Sequence, residues 1–206
     1  MAEFTHYAPG TPCWVELSSA DVENSRAFYS GLFGWEAGES APDTGGYFMF
    51  LKGGKNVAGC MPIMMEGQPT AWQTYVAVDD ADATADKIKK AGGTVFVEPM
   101  DVLDVGRMVV FADPGGAALG LWQPRAHIGA DLANEPGAFT WNELQTRDTA
   151  GAEAFYSEVF GWGAETSANG AMAYTEWKVG ERSVAGMMDM PAEVPPETGA
   201  YWLVYF

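Results

Sequence analysis

Two carboxylates stand in matching positions, Glu16 in "WVELS" and Glu143 in "WNELQ". A glutamate held among apolar groups has its charged form disfavoured, which suits it to general acid or base work near neutral pH. Tyr75 and Tyr205 are candidate proton donors beside them. Each glutamate also has a plainer reading, as acceptor of a hydrogen bond from a neighbouring tryptophan indole. Other catalytic chemistry is scarce. The only histidines are His6, near the start, and His127, in a polar segment between two repeats. Cys13 and Cys60 lie in apolar, strand-like stretches with no histidine nearby, which predicts buried, inert thiols. No phosphate loop, dinucleotide fingerprint or Ser-His-Asp set occurs.

The elements that must position these residues are legible from an internal repeat. "WVELSSADVENSRAFYSGLFGW", Trp14 to Trp35, returns as "WNELQTRDTAGAEAFYSEVFGW", Trp141 to Trp162, with 11 of 22 positions identical at a constant offset of 127. Tyr47 then pairs with Tyr174, Gly53 with Gly180, and "VAGCM" with "VAGMM". In each copy alternation predicts a half-buried strand, with Val15 and Leu17 on one face and Trp14 and Glu16 on the other. Asp21 and Asp148 are placed to cap a helix, and Gly34 and Gly161 to end it. A hairpin follows, turning at Gly-Gly-Lys-Asn in the first copy.

The middle of the first copy repeats this order. "TYVAV" reads as a strand, Asp80 or Asp82 caps the helix "ADATADKIKKAGG", and two strands turn at "DPGG". The chain therefore reads as three strand–helix–strands units plus the first strand of a fourth. Residues 1–124 form a first domain of two units, 125–137 a linker, and 138–206 a second domain. The first copy runs 52 residues past Trp72, and the second four past its counterpart Trp202. The second domain is thus expected to be truncated, its last strand an exposed edge open to self-association.

Composition narrows the partners. With 28 acidic and 11 basic residues the net charge is -17, which repels nucleic acid and anionic membrane. Two cysteines make no disulfide framework, and no leader or membrane-length apolar run is visible, so a cytoplasmic location is expected.

The strand leading to Asp21 and "AFY…LFGW", the "AGG" after the second helix and "DPGG…LGLWQP" together resemble the vicinal-oxygen-chelate superfamily of glyoxalases, bleomycin-resistance proteins and extradiol dioxygenases. The tandem arrangement is similar to a subgroup labelled glyoxalase-like or hydroxylase. The resemblance implies an α+β fold, in which paired βαβββ modules curve a sheet into a cup. It also implies a divalent metal held by His, Glu or Gln, one from each of four strands.

The positions that match those ligands hold Trp14 and Trp141, Gln73 and Leu203, and Gly120, with Gly59 or Met61 and Gly186 or Met188 at the fourth. Indoles and glycines cannot ligate a hard cation. No metal or other cofactor is therefore expected, unless a register slip recruits Glu16 or Glu143. The cup is instead expected to be lined by Trp14, Gln73, Tyr75, Trp122, Trp141 and Tyr205, with Glu16 and Glu143 as its catalytic candidates. Such walls suit a small hydrophobic or aromatic molecule, although the same rings also serve to pack a core. The leading expectation is metal-free binding of a planar molecule. The alternatives are a metal-dependent lyase, isomerase or dioxygenase, a cofactor-independent enzyme, and a scaffold with closed cups.

Overall fold

The computed structural model describes residues 3–40, 44–64, 67–169 and 172–206. The first unit comprises β1 (Pro12–Ser19), α1 (Val22–Phe33), β2 (Glu36–Ala37), β3 (Phe48–Lys52) and β4 (Lys55–Pro62). The second comprises β5 (Ala71–Ala77), α2 (Ala81–Lys90), β6 (Thr94–Val102), β7 (Gly106–Ala112) and β8 (Ala118–Pro124). The third comprises β9 (Trp141–Thr146), α3 (Thr149–Phe160), β10 (Gly163–Asn169), β11 (Met172–Val179) and β12 (Arg182–Asp189), and β13 (Tyr201–Tyr205) follows it. This is the α+β architecture expected from the repeat. No helix among the described residues is long and apolar enough to cross a membrane.

Local chemistry sets the helix ends. The carboxylates of Asp21, Asp80 and Asp148 accept from the backbone N–H three residues on, satisfying donors that the helix leaves free. Of the two candidates for the second helix, Asp80 is the cap. Gly34 and Gly161 close α1 and α3 at φ 69° and 68°, a left-handed conformation that disfavours a side chain.

The first two units share one sheet of order β2-β3-β4-β1-β5-β8-β7-β6, and the third forms a sheet of order β10-β11-β12-β9-β13. The pairing registers repeat. β5 lies antiparallel to β1, with Leu17 opposite Trp72 and Trp14 opposite Tyr75. β13 lies against β9 in the same way, with Leu144 opposite Trp202 and Trp141 opposite Tyr205. Trp72 donates to the Tyr29 hydroxyl at 3.0 Å, and Trp202 to that of Tyr156 at 2.9 Å.

The helix-side faces of the two sheets meet. Ala85 and Ile88 of α2, Phe155 and Val159 of α3, and Phe111, Leu144, Trp162 and Trp177 join one buried cluster. On α1 the counterparts of Phe155 and Val159 behave differently, for the buried cluster that covers α2 and α3 includes no residue of α1. Phe28 and Leu32 are both 57% exposed, whereas Phe155 and Val159 are 3% exposed.

The two halves also exchange anchors. Trp162 donates to the Gly10 carbonyl and Trp35 to the Gly137 carbonyl, each at 2.7 Å. Gly10 and Gly137 are themselves 127 residues apart, so each tryptophan holds the chain that enters the other repeat. The segment expected to be a linker is well packed. Ala130 N–H donates to the Cys13 carbonyl, Asp131 exchanges two hydrogen bonds with Asn56, and the Tyr7 hydroxyl donates to the Ala130 carbonyl.

Candidate functional site

On the face of each sheet turned away from the helices, strand alternation presents Trp14 and Glu16 on β1, and Trp141, Glu143 and Gln145 on β9. In the second cup Glu143 is buried and saturated with donors. Tyr174 Oη donates to its Oε2 at 2.8 Å, Tyr205 Oη to Oε1 at 3.0 Å, and Gln145 Nε2 to Oε1 at 2.7 Å. Trp141 Nε1 in turn donates to Tyr174 Oη at 2.7 Å. The first cup repeats the motif. Tyr75 Oη donates to Glu16 Oε1 at 3.2 Å, and Tyr47 and Trp14 stand beside that carboxylate where Tyr174 and Trp141 stand in the second cup.

In the second cup the relay thus runs indole to phenol to carboxylate. This corrects the plainer reading in which the indole donates directly to the glutamate. Tyr47 and Tyr174 were not among the residues expected in the site. Their one signal in the sequence is the shared offset of 127. They enter because glycine stands on the neighbouring strand. A Cβ at Gly59 would lie 2.3 Å from Tyr47 Oη, and one at Gly186 would lie 2.0 Å from Tyr174 Oη.

The remaining expected residues divide. Tyr75 and Trp122 are buried and Trp141 is half-buried, while Tyr205 is 42% exposed at the sheet edge. Trp122 donates to the His127 carbonyl at 2.7 Å. The His127 ring packs edge-on against Trp14 and Trp122, with centroids 4.6 and 5.6 Å apart. The segment between the repeats therefore inserts its imidazole into the aromatic wall of the first cup, a placement the sequence did not indicate. Gln73 lies opposite Glu16 in the register, but its amide donates to the Thr74 carbonyl rather than to the glutamate.

Electrostatics distinguish the groups. Burial pushes the Glu16 carboxyl up to about 7, against the smaller opposing effect of hydrogen bonds from Tyr75 and Tyr47. Burial and then the Glu16 charge raise both phenols, so they remain protonated donors. Burial also raises the Cys13 thiol, and lifts that of Cys60 to about 11, which leaves neither as a nucleophile at neutral pH.

The Glu16 shift makes a stability prediction. Below pH 4.5 the carboxyl is protonated in both folded and unfolded chains. Between 4.5 and about 7 the unfolded chain releases the proton first, so stability falls as pH rises through that window. Ionised Glu16 then costs on the order of 3 kcal/mol. Glu16→Gln is expected to raise the unfolding temperature at pH 8 and to change it little at pH 4. An equal effect at both pH values, read by circular dichroism, would refute the assignment.

The residues do not fit a resident metal. Gly120 offers no donor, and a Cβ there would meet the Tyr75 ring at 2.2 Å. Gly59 and Gly186 are filled by phenols, and the Trp14 and Trp141 indoles only donate. Among the described residues no group of three or more His, Cys, Asp or Glu is placed to hold an ion.

Comparison with known proteins places this geometry in context. A family model described as the Glyoxalase/Bleomycin resistance protein/Dioxygenase superfamily matches residues 11–121. "Putative glyoxylase CFP32" of Mycobacterium tuberculosis is 41% identical over 212 residues, covering 100% of this chain and 80% of that protein. "Anthracycline biosynthesis protein DnrV" of Streptomyces peucetius is 38% identical over 220 residues, covering 98% and 78%. In fold, the chain is similar to the Mn(II)-bound glyoxalase of Novosphingobium aromaticivorans, with a TM-score of 0.62 and 18% identity. That likeness covers 89% of this chain and 62% of the glyoxalase. Repeat, register and relatives agree: the chain belongs to the Glyoxalase/Bleomycin resistance protein/Dioxygenase superfamily.

Proposed function

We propose that this chain binds a small, planar, largely apolar molecule in its aromatic cups, without a metal or other cofactor. One observation carries the reading. In each repeat one position where the superfamily would place a metal ligand is a glycine, Gly120 or Gly186, whose space is filled by a phenol, Tyr75 or Tyr174, bonded to the central glutamate. Tryptophan and tyrosine walls around one polar cluster suit a flat ring system bearing few polar groups. The name of the Streptomyces peucetius relative points to anthracycline biosynthesis, and anthracyclines are fused-ring, largely planar quinones. Any turnover in such a cup uses Glu16 and Glu143 as proton carriers. Replacing both with Gln should then abolish turnover while sparing binding.

The likeness to a Mn(II)-bound glyoxalase favours a competing reading, a metal-dependent lyase, isomerase or dioxygenase. Two measurements separate them. Protein made in medium with zinc, nickel, iron and manganese is dialysed and analysed for elements. It is then titrated with 2-methyl-1,4-naphthoquinone while tryptophan fluorescence is followed. Saturable quenching without stoichiometric metal is expected. Stoichiometric metal, with turnover of a glutathione hemithioacetal only when nickel or zinc is present, would establish the competing reading. A linear, non-saturating fluorescence response would leave the cups as closed packing.

A further inference from the structure

The two clusters differ in the residue two places after the glutamate. β9 carries Gln145 where β1 carries Ser18. Gln145 is only 4% exposed, and its Nε2 is committed to Glu143 Oε1 at 2.7 Å. That bond fixes the amide orientation, because turning it over would set the amide oxygen against the carboxylate. Gln145 Oε1 is left buried with no donor among the described residues. Buried acceptors in folded proteins are normally satisfied, so this one points to a donor supplied from outside the chain.

The surroundings restrict that donor. Met188 and Tyr201 lie in register with Gln145 on either side, and both are half-buried. An unbranched thioether beside a flat ring can adjust to admit another flat ring. Three neutral donors, from Tyr174, Tyr205 and Gln145, already occupy the Glu143 oxygens, so an incoming donor meets the free Gln145 Oε1 instead. A hydroxyl is the simplest neutral donor that a flat ring can bring to such an acceptor.

We propose that the second cup selects planar ligands that carry a ring hydroxyl, which donates to Gln145 Oε1, and that the first cup lacks this selection. The inference rests on the metal-free cup proposed above, and it adds the ligand's chemical class.

The test compares 2-naphthol with 2-methoxynaphthalene, its non-donating methyl ether, by isothermal titration calorimetry on the unaltered protein and on Gln145→Met and Ser18→Ala. The unaltered protein is expected to prefer the naphthol by about tenfold, the worth of one buried hydrogen bond. Gln145→Met keeps the side chain's length and removes its acceptor, so it should erase the preference while leaving the ether's affinity little changed. Ser18→Ala should retain the preference.

Equal affinity for the two compounds in the unaltered protein would overturn the hydroxyl selection and leave the metal-free cup standing. A preference that survives Gln145→Met would likewise overturn the role of Gln145. Binding of neither compound would overturn both proposals. The comparison on the unaltered protein needs no variant, so a Gln145→Met chain that fails to fold leaves the test decisive.

Discussion

Gly120→Glu, which returns to β8 the carboxylate that the superfamily places there, is expected to destabilise the first domain and to bind no metal. Gly120 pairs with Tyr75 across the β5–β8 ladder. A Cβ at this position would lie 2.2 Å from Tyr75 Cδ1 and 2.4 Å from Cε1. Those separations are far inside van der Waals contact, and Tyr75 is buried, so its ring has little room to retreat. Overpacking of this kind costs about 1–3 kcal/mol, and placing a carboxylate among rings adds desolvation to it. Tyr75 is also a donor to Glu16, so displacing it breaks the first cluster as well. The expected readout is a lower urea midpoint with no zinc or manganese retained. A variant of unchanged midpoint that holds one metal ion would show the glycine to be a dispensable loss, and the metal-free reading would fall.

Trp162→Ala is expected to have the largest effect on stability of any single truncation considered. The ring is buried and lies 5.5, 5.0 and 5.6 Å, centroid to centroid, from Tyr156, Phe160 and Trp177. Removing a buried tryptophan costs about 3–5 kcal/mol, a large share of the roughly 5–15 kcal/mol that holds a domain folded. The substitution also deprives the Gly10 carbonyl of its donor. For a chain of this size, thermal unfolding should fall by roughly 10 °C. Trp162→Phe should recover part of the loss through packing, but not the hydrogen bond. A shift of only a degree or two, measured by scanning calorimetry, would mean that the junction contributes little and that the halves are held elsewhere.

Much of the scaffold was visible in the sequence because the repeat supplied long-range information. Matching Trp14 to Trp141 fixed the opening strands, and matching Trp72 to Trp202 gave the register that β5 and β13 share. Alternation separated Val15 and Leu17 from Trp14 and Glu16, since one residue of slip would reverse every side chain. The tyrosines at 47 and 174 were visible as a matched pair, but their role was not. A phenol reaches the glutamate only where the neighbouring strand carries no side chain. That condition joins residues distant in sequence, and local pattern does not express it. The placement of His127 was hidden for a similar reason. Polar composition and two prolines describe a connector, and nothing local says that its imidazole turns back onto Trp14. The pairing of α2 with α3 was equally hidden, because the apolar stripes of α1 and α3 look alike while only one is covered.

The hydrogen bonds described for each glutamate cluster stay within its own sheet. A substitution in one cluster therefore leaves the bonding of the other intact. For a duplicated gene this separation sets the rules of inheritance. Selection can hold one site constant while the twin accumulates change, with no intermediate that loses both. Ser18 against Gln145, and an imidazole seated against the rings of one cup, are differences of the kind such latitude permits. The two halves thus record a common ancestor in their frame and separate histories in their pockets.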